Sequence, residues 1–105
     1  MNERLSGMLG FAMRAGKLIL GTELVCKAMP KAGKGRVFLV AVADSASAAT
    51  KKKLFTKSEF YGLSAIELPV DADTLASLLG KEHPIAAVAV TDERFAEEIA
   101  KAASI

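Results

Sequence analysis

Apolar residues near the start of the chain recur at three- and four-residue intervals. Leu5, Met8, Leu9, Ala12 and Met13 fall on one face if residues 3–15 form a helix, and Gly16 closes it. The period then changes. Lys17–Leu20 read as a short strand and Gly21–Thr22 as a turn. Thr22 serves as N-cap for a short helix over Glu23–Met29, because Pro30 disfavours helical geometry at the residue before it. A basic loop leads into Arg36–Val42, an apolar, β-branched run without polar alternation, as expected of a strand covered on both faces. Asp44, Ser45 or Ser47 caps the next helix, roughly 46–61, which Gly62 ends in the left-handed conformation. Ala65–Leu68 form a short strand and Pro69 breaks the chain. Asp71 or Asp73 caps a helix through Leu79, and Gly80 stops it. Ile85–Val90 supply the last strand. Thr91, Asp92 and Glu93 put a cap and acids at the positive end of a final helix that runs to about Ala103. The order α-β-α-β-α-β-α-β-α predicts the α/β class: a three-layer α-β-α sandwich with helices on both sides of a four-stranded sheet, and connections long enough for largely parallel crossovers. The pattern leaves strand order open.

Length and composition narrow the picture. A chain of 105 residues fits one domain, 1–105, and its 51% apolar and 25% charged residues suit a packed core rather than disorder. Its longest apolar runs, such as Ile85–Val90, fall far short of the roughly 18 to 20 residues of a membrane span. Residues 1–17 lack the charged-then-apolar layout of a secretory signal, which predicts a cytoplasmic location without membrane association. Cys26 is the sole cysteine and His83 the sole histidine, so neither a disulfide nor a typical zinc ligand set is expected, and no metal or cofactor is predicted.

Motifs for catalysis are weak. Gly10–Lys17 resembles a phosphate loop at first sight, but five residues separate its glycines where the Walker pattern has four, and Leu18 replaces the Ser or Thr that binds magnesium. No strand leads into a three-glycine dinucleotide fingerprint. Cys26 lies beside the apolar arc of Val25, Ala28 and Met29, which favours a structural thiol over a reactive one. Glu97 and Glu98 are adjacent on a helix and do not face each other.

Charge changes the picture more. The net charge of +2 hides eleven Lys and Arg against three acids in residues 1–57, and three against nine in residues 58–105. Such asymmetry points to a polyanion partner on one face, unless folding mixes the two halves. Gly21–Ala28 places a helix start at the edge of a sheet, where free backbone N–H groups attract phosphate and Gly21 allows close approach. Glu23 and Lys27 share a face. Lys27 is in reach of guanine O6 or N7, or the two simply form a weak ion pair. Lys31, Lys34 and Arg36 follow without an intervening acid and are candidates to hold the backbone. Lys51, Lys52 and Lys53 cannot all face one way on a helix, so at most part of that cluster serves a common groove.

At these residues the sequence resembles the kink-turn RNA-binding ribosomal proteins, ribosomal protein L-seven-Ae and its relatives in the L-thirty-e superfamily, particularly the small bacterial YlxQ-type members. The anchors are Gly21–Ala28, the Val37–Ser45 strand with its Ala43-Asp44 ending, and the segment from Leu78-Leu79-Gly80 to Val90. The resemblance implies a mixed sheet of about four strands. It also implies RNA binding without covalent chemistry: the strand-to-helix segment enters a sharply bent RNA at tandem sheared G·A pairs, and a later apolar loop covers an extruded nucleotide. The family pattern Gly-x-Asn-Glu-x-x-Lys carries over at Gly21 and Lys27, while Glu23 stands where the pattern has Asn and Leu24 where it has Glu. Lys81-Glu82-His83-Pro84, leading into Ile85, matches the covering loop. There His83 stacks on a base, or Pro84 simply makes the loop rigid.

The expected contact set is therefore Gly21, Thr22, Glu23, Leu24, Lys27, Lys31, Lys34, Arg36, Asp44, His83, Pro84 and Ile85. The expected partner is structured RNA, ribosomal RNA included, with a protein partner also possible. The alternative is a protein-interaction or regulatory module using the acidic C-terminal half, with Glu93, Glu97 and Glu98 on one helix. An enzyme ranks third.

Overall fold

The computed structural model describes residues 2–104; the ends of the expected 1–105 span, residues 1 and 105, lie outside the described residues. The elements are α1 (Glu3–Arg14), β1 (Leu18–Leu20), α2 (Thr22–Ala28), β2 (Leu39–Ala43), α3 (Ala48–Phe60), β3 (Ser64–Leu68), α4 (Ala72–Leu78), β4 (Ala87–Val90) and α5 (Glu93–Ala103). Side-chain caps start most of the helices. Asn2, Ser47, Asp71 and Asp92 each accept a backbone N–H three residues on, so Ser47 and Asp71 take the roles the sequence had left open. At α2 the structure differs from expectation. Thr22 is already helical and Gly21 is the N-cap, with no side chain to offer.

The strands lie in the order β1-β4-β2-β3. β4 pairs antiparallel with both β1 and β2, while β2 and β3 pair in parallel. The expected largely parallel crossovers therefore occur once, at β2-α3-β3, and the mixed sheet implied by the resemblance is the one observed. The reason is that connection length permits a parallel return without requiring one. Three strands also start later than expected, β1 by one residue, β2 by three and β4 by two. Arg36–Phe38 approach the sheet through a single bond, Phe38 N–H to the Val90 carbonyl at 2.8 Å. Ile85 is diverted because its N–H donates to the Ala72 carbonyl of α4 at 3.1 Å.

Alternation along the central strands builds two cores. Leu39, Ala41 and Ala43 of β2 and Val88 and Val90 of β4 pack with Leu5 and Leu9 of α1, Leu75 of α4 and Ile99 of α5. Val40, Val42, Ala87 and Ala89 face the other way, onto Val25 of α2 and Leu54 of α3. Every β2 residue is buried, as a strand covered on both faces requires. Each fully buried Leu or Val contributes about 1.5–3 kcal/mol relative to exposure, so both helical layers are held firmly to the sheet.

The register gives the sheet two distinct ends. Val42 lies opposite Ala87 at one end and Leu39 opposite Val90 at the other, about 10 Å apart at the usual rise. Gly21 N–H donates to the Ala87 carbonyl at 2.9 Å and Ala43 N–H to the Ala86 carbonyl at 2.8 Å. The β1–α2 turn, the end of β2 and the approach to β4 thus meet at one end.

Candidate nucleic-acid interface

At that end, Leu20 and Gly21 face Gly80–Ile85 across an open cleft of about 590 Å³. Segments some sixty residues apart in the chain form its two walls. Gly21 turns the chain at φ 96° and ψ 142°, a combination essentially restricted to glycine, and its own N–H is used by Ala87. The opposite loop is pinned to α4 at both ends, by Lys81 N–H to the Ala76 carbonyl at 2.8 Å and by the Ile85–Ala72 bond. Ile85 is buried and anchors the loop, which leaves Lys81, Glu82, His83 and Pro84 exposed at the rim.

Beside the cleft runs a groove of about 490 Å³ between α2 and α3, lined by Thr22, Glu23, Cys26, Lys27, Lys53 and Lys57. Three ammonium groups therefore border one concavity. Lys27 Nζ lies 3.5 Å from Glu23 Oε1, but both side chains are largely exposed. An exposed pair of this spacing contributes about 0.3–0.5 kcal/mol, too little to keep Lys27 from a phosphate. Cys26 is buried, packed with Val25, Val37 and Leu54, which makes it part of the core. Leu24 projects from the first turn of α2 and is 56% exposed, so an apolar side chain stands at this end where the family pattern has a carboxylate.

The predicted contact residues do not all gather here. Gly21, Thr22, Glu23 and Lys27 line the cleft or its adjoining groove, Leu24 is exposed on the same turn of α2 but lines neither, and His83, Pro84 and Ile85 form the opposing wall. Asp44 follows β2 at the same end of the sheet, exposed, with its N–H donated to the Val70 carbonyl at 2.9 Å. Lys31, Lys34 and Arg36 precede β2 and so lie toward the far end, where Phe38 meets Val90. There the Arg36 guanidinium stacks over the Phe38 ring at 4.5 Å, and Lys31 and Arg36 border a groove of about 220 Å³ with Tyr61.

The model of the ribosomal protein L7Ae/L30e/S12e/Gadd45 family matches residues 3–100. This chain belongs to that family. RNA-binding protein YlxQ of Enterococcus faecium is 34% identical over 96 residues, covering 91% of this chain and 87% of that protein. RNA-binding protein YlxQ of Bacillus subtilis (strain 168) is 36% identical over 92 residues, 88% of this chain and 87% of its own. Among solved structures, a protein of unknown function from Bacillus halodurans superposes over the whole of both chains, with a TM-score of 0.85 and 31% identity. A 15.5 kD RNA-binding protein of Giardia lamblia has a TM-score of 0.75 at 14% identity over 99% of this chain and 88% of its own, a likeness of fold.

In this L7Ae/L30e-family chain, Lys53 is the member of the Lys51–Lys53 cluster that enters the α2–α3 groove, and Lys57, which the sequence pattern did not single out, joins it there. Their four-residue spacing marks them as one helix face, but only the contact between α2 and α3 brings that face to Lys27. Of the neighbouring lysines, Lys51 is turned away and pairs with Glu67 of β3 at 3.1 Å. The acidic helix α5 packs in the opposite layer, against α1. There the Arg4 guanidinium donates to Glu98 at 2.8 Å and, chiefly through this hydrogen bond, holds that carboxyl below the usual carboxylate range. Among the described residues, no three His, Cys, Asp or Glu side chains converge as a metal site would require, and no helix is long and apolar enough to cross a membrane.

Proposed function

We propose that this protein, acting as one unit in the cytoplasm, binds sharply bent, kink-turn-like RNA, ribosomal or ribosome-associated, and stabilises the bend without chemical turnover. The observation that carries the reading is the cleft between the β1–α2 turn and the Lys81–Ile85 loop, with a three-lysine groove beside it. A bend presents two backbone strands and an unstacked base close together. Lys27, Lys53 and Lys57 neutralise phosphates of one strand, and Gly21, having no side chain, lets the sugar-phosphate chain come close. Across the cleft, His83 and Pro84 meet the extruded base, with the imidazole as stacking platform. The names of the two YlxQ relatives support RNA as the ligand class. Because the Leu24 side chain offers no acceptor to guanine, the protein selects its target mainly by shape and charge, and it shifts RNA toward the bent form by its difference in affinity for the two states.

The test is a binding series with a kinked RNA, a straight duplex of the same length and a variant unable to kink, each over a range of salt. The kinked RNA should bind about tenfold or more tightly than either control, with log affinity falling by about 0.7–0.9 per log unit of salt for each phosphate contacted. Lys27→Ala should weaken binding to the kinked RNA by about fivefold or more. Equal affinity for all three RNAs removes the shape reading, and an unchanged Lys27→Ala variant removes the assigned groove.

A further inference from the structure

Phe60 is 80% exposed at the last turn of α3. The reason lies in the helix itself. Leu54 and Ser58 are its buried residues, so most of its surface faces solvent. Ala49, Lys52, Lys53, Thr56, Lys57 and Phe60 recur at three- and four-residue steps and line one open groove of about 580 Å³ along the outer face. Lysine side chains, Ala49, Thr56 and Phe60 together form its lining. Tyr61, next in the chain, meets Phe60 edge to face, with ring centroids 5.0 Å apart and planes at 88°. Tyr61 in turn borders the groove of Lys31 and Arg36.

Shared residues join these surfaces into one path. Lys53 and Lys57 line both the α2–α3 groove and the outer groove of α3. Phe60 and Tyr61 then link the outer groove to the Lys31–Arg36 groove at the far end of the sheet. Along this path Glu23 is the acid that lines a groove, and it sits beside Lys27. Glu59 lies on α3 but lines none of the three. Ammonium groups interleaved with exposed aromatic rings are the chemistry of single-stranded nucleic acid: phosphates follow the cations and bases stack on the rings. A duplex keeps its bases stacked inside and has no use for Phe60.

We propose that the outer face of α3, from Lys53 and Lys57 past Phe60 to Tyr61 and Arg36, is a second RNA-contact surface that takes an unpaired strand running out of the bent element, with a base stacked on Phe60. This rests on the RNA-binding reading above and extends it to the strand beyond the bend. It also gives Lys31 and Arg36, remote from the cleft, a place on the same ligand.

The full-length chain would be titrated against a blunt-ended kinked RNA and the same RNA carrying an unpaired extension of about eight nucleotides, a length within the range single-strand-binding folds occupy. The extension, tried at each end, should tighten binding by about tenfold at one of them. Phe60→Ala, at an exposed position, should abolish that gain and leave blunt-ended affinity unchanged. A 2-aminopurine in the extension should be quenched on binding to the wild type and not to Phe60→Ala, which reads the stack directly. Lys27→Ala should weaken both RNAs by the same factor. Tight blunt-ended binding with no gain from either extension overturns this surface alone, as does an equal loss on both RNAs in Phe60→Ala. Displacement of the extension by a polyglutamate peptide at equal charge assigns the surface to an acidic protein and also overturns it. Failure to prefer the kinked RNA at all is a failure of the underlying reading.

Discussion

Gly21 and Gly7 illustrate how differently one residue type acts at two positions. A Cβ added at either would meet nothing within 4 Å, so space does not distinguish them. Conformation does. Gly21 holds φ at 96°, which an L side chain adopts only under strain, whereas Gly7 lies within α1, where glycine forfeits helix propensity. Urea unfolding should show Gly21→Ala losing about 1–3 kcal/mol and Gly7→Ala gaining about 0.5–1 kcal/mol. At this scale Gly21 and Lys27 were legible in the chain, one as a turn residue and one by its spacing from Glu23. That part of the Lys51–Lys53 run would serve a groove was legible too, but not that the part is Lys53 or that Lys57 joins it, because whether a lysine faces solvent or a shared groove depends on which helix lies alongside. The fate of Lys31, Lys34 and Arg36 was equally hidden: a basic run close in sequence to Lys27 is carried to the other end of the sheet by the chain's passage into β2.

Helix starts were readable at α3, α4 and α5, where Ser47, Asp71 and Asp92 came from the offered capping side chains, because a cap is a local device; at α2, where Gly21 caps without a side chain, the start was misplaced by one residue. Asp71 accepts the Thr74 N–H at 2.7 Å, and this backbone bond, followed by one from the Thr74 hydroxyl, lowers its carboxyl below the ordinary 3.8. A pKa lowered by folding means that the ionised form favours the native state. The contribution is present above the unfolded value near 4 and is lost as pH falls through the lowered one. Asp71→Asn keeps an oxygen for the cap and has no proton to gain. Its melting temperature should therefore fall less than that of the wild type between about pH 5 and about pH 2, as followed by circular dichroism. Strand starts were harder to read. Arg36–Phe38 and Ile85–Ala86 have the apolar character of strand, but their first backbone bonds are governed by distant neighbours, and no local pattern records those.

Across the whole molecule, the sheet separates the charges that the linear sequence hinted at. α2 and α3, on one side, carry five lysines against two glutamates, while α1, α4 and α5 on the other carry four bases against five acids. Folding therefore preserves much of the asymmetry, and a polyanion approaching the α2–α3 side meets a net positive field. Strand order has a different bearing. β4 is the last strand in the chain yet lies inside the sheet, between β1 and β2, and without it β1 has no hydrogen-bonded neighbour. A fragment ending at residue 84 should show no cooperative urea transition, since it retains one parallel pair and neither finished core. During synthesis from the N-terminus the nascent polypeptide should thus stay unfinished until Ala87–Val90 emerge, with collapse to the native state late and concerted and chains cut short before β4 left as prey for proteases.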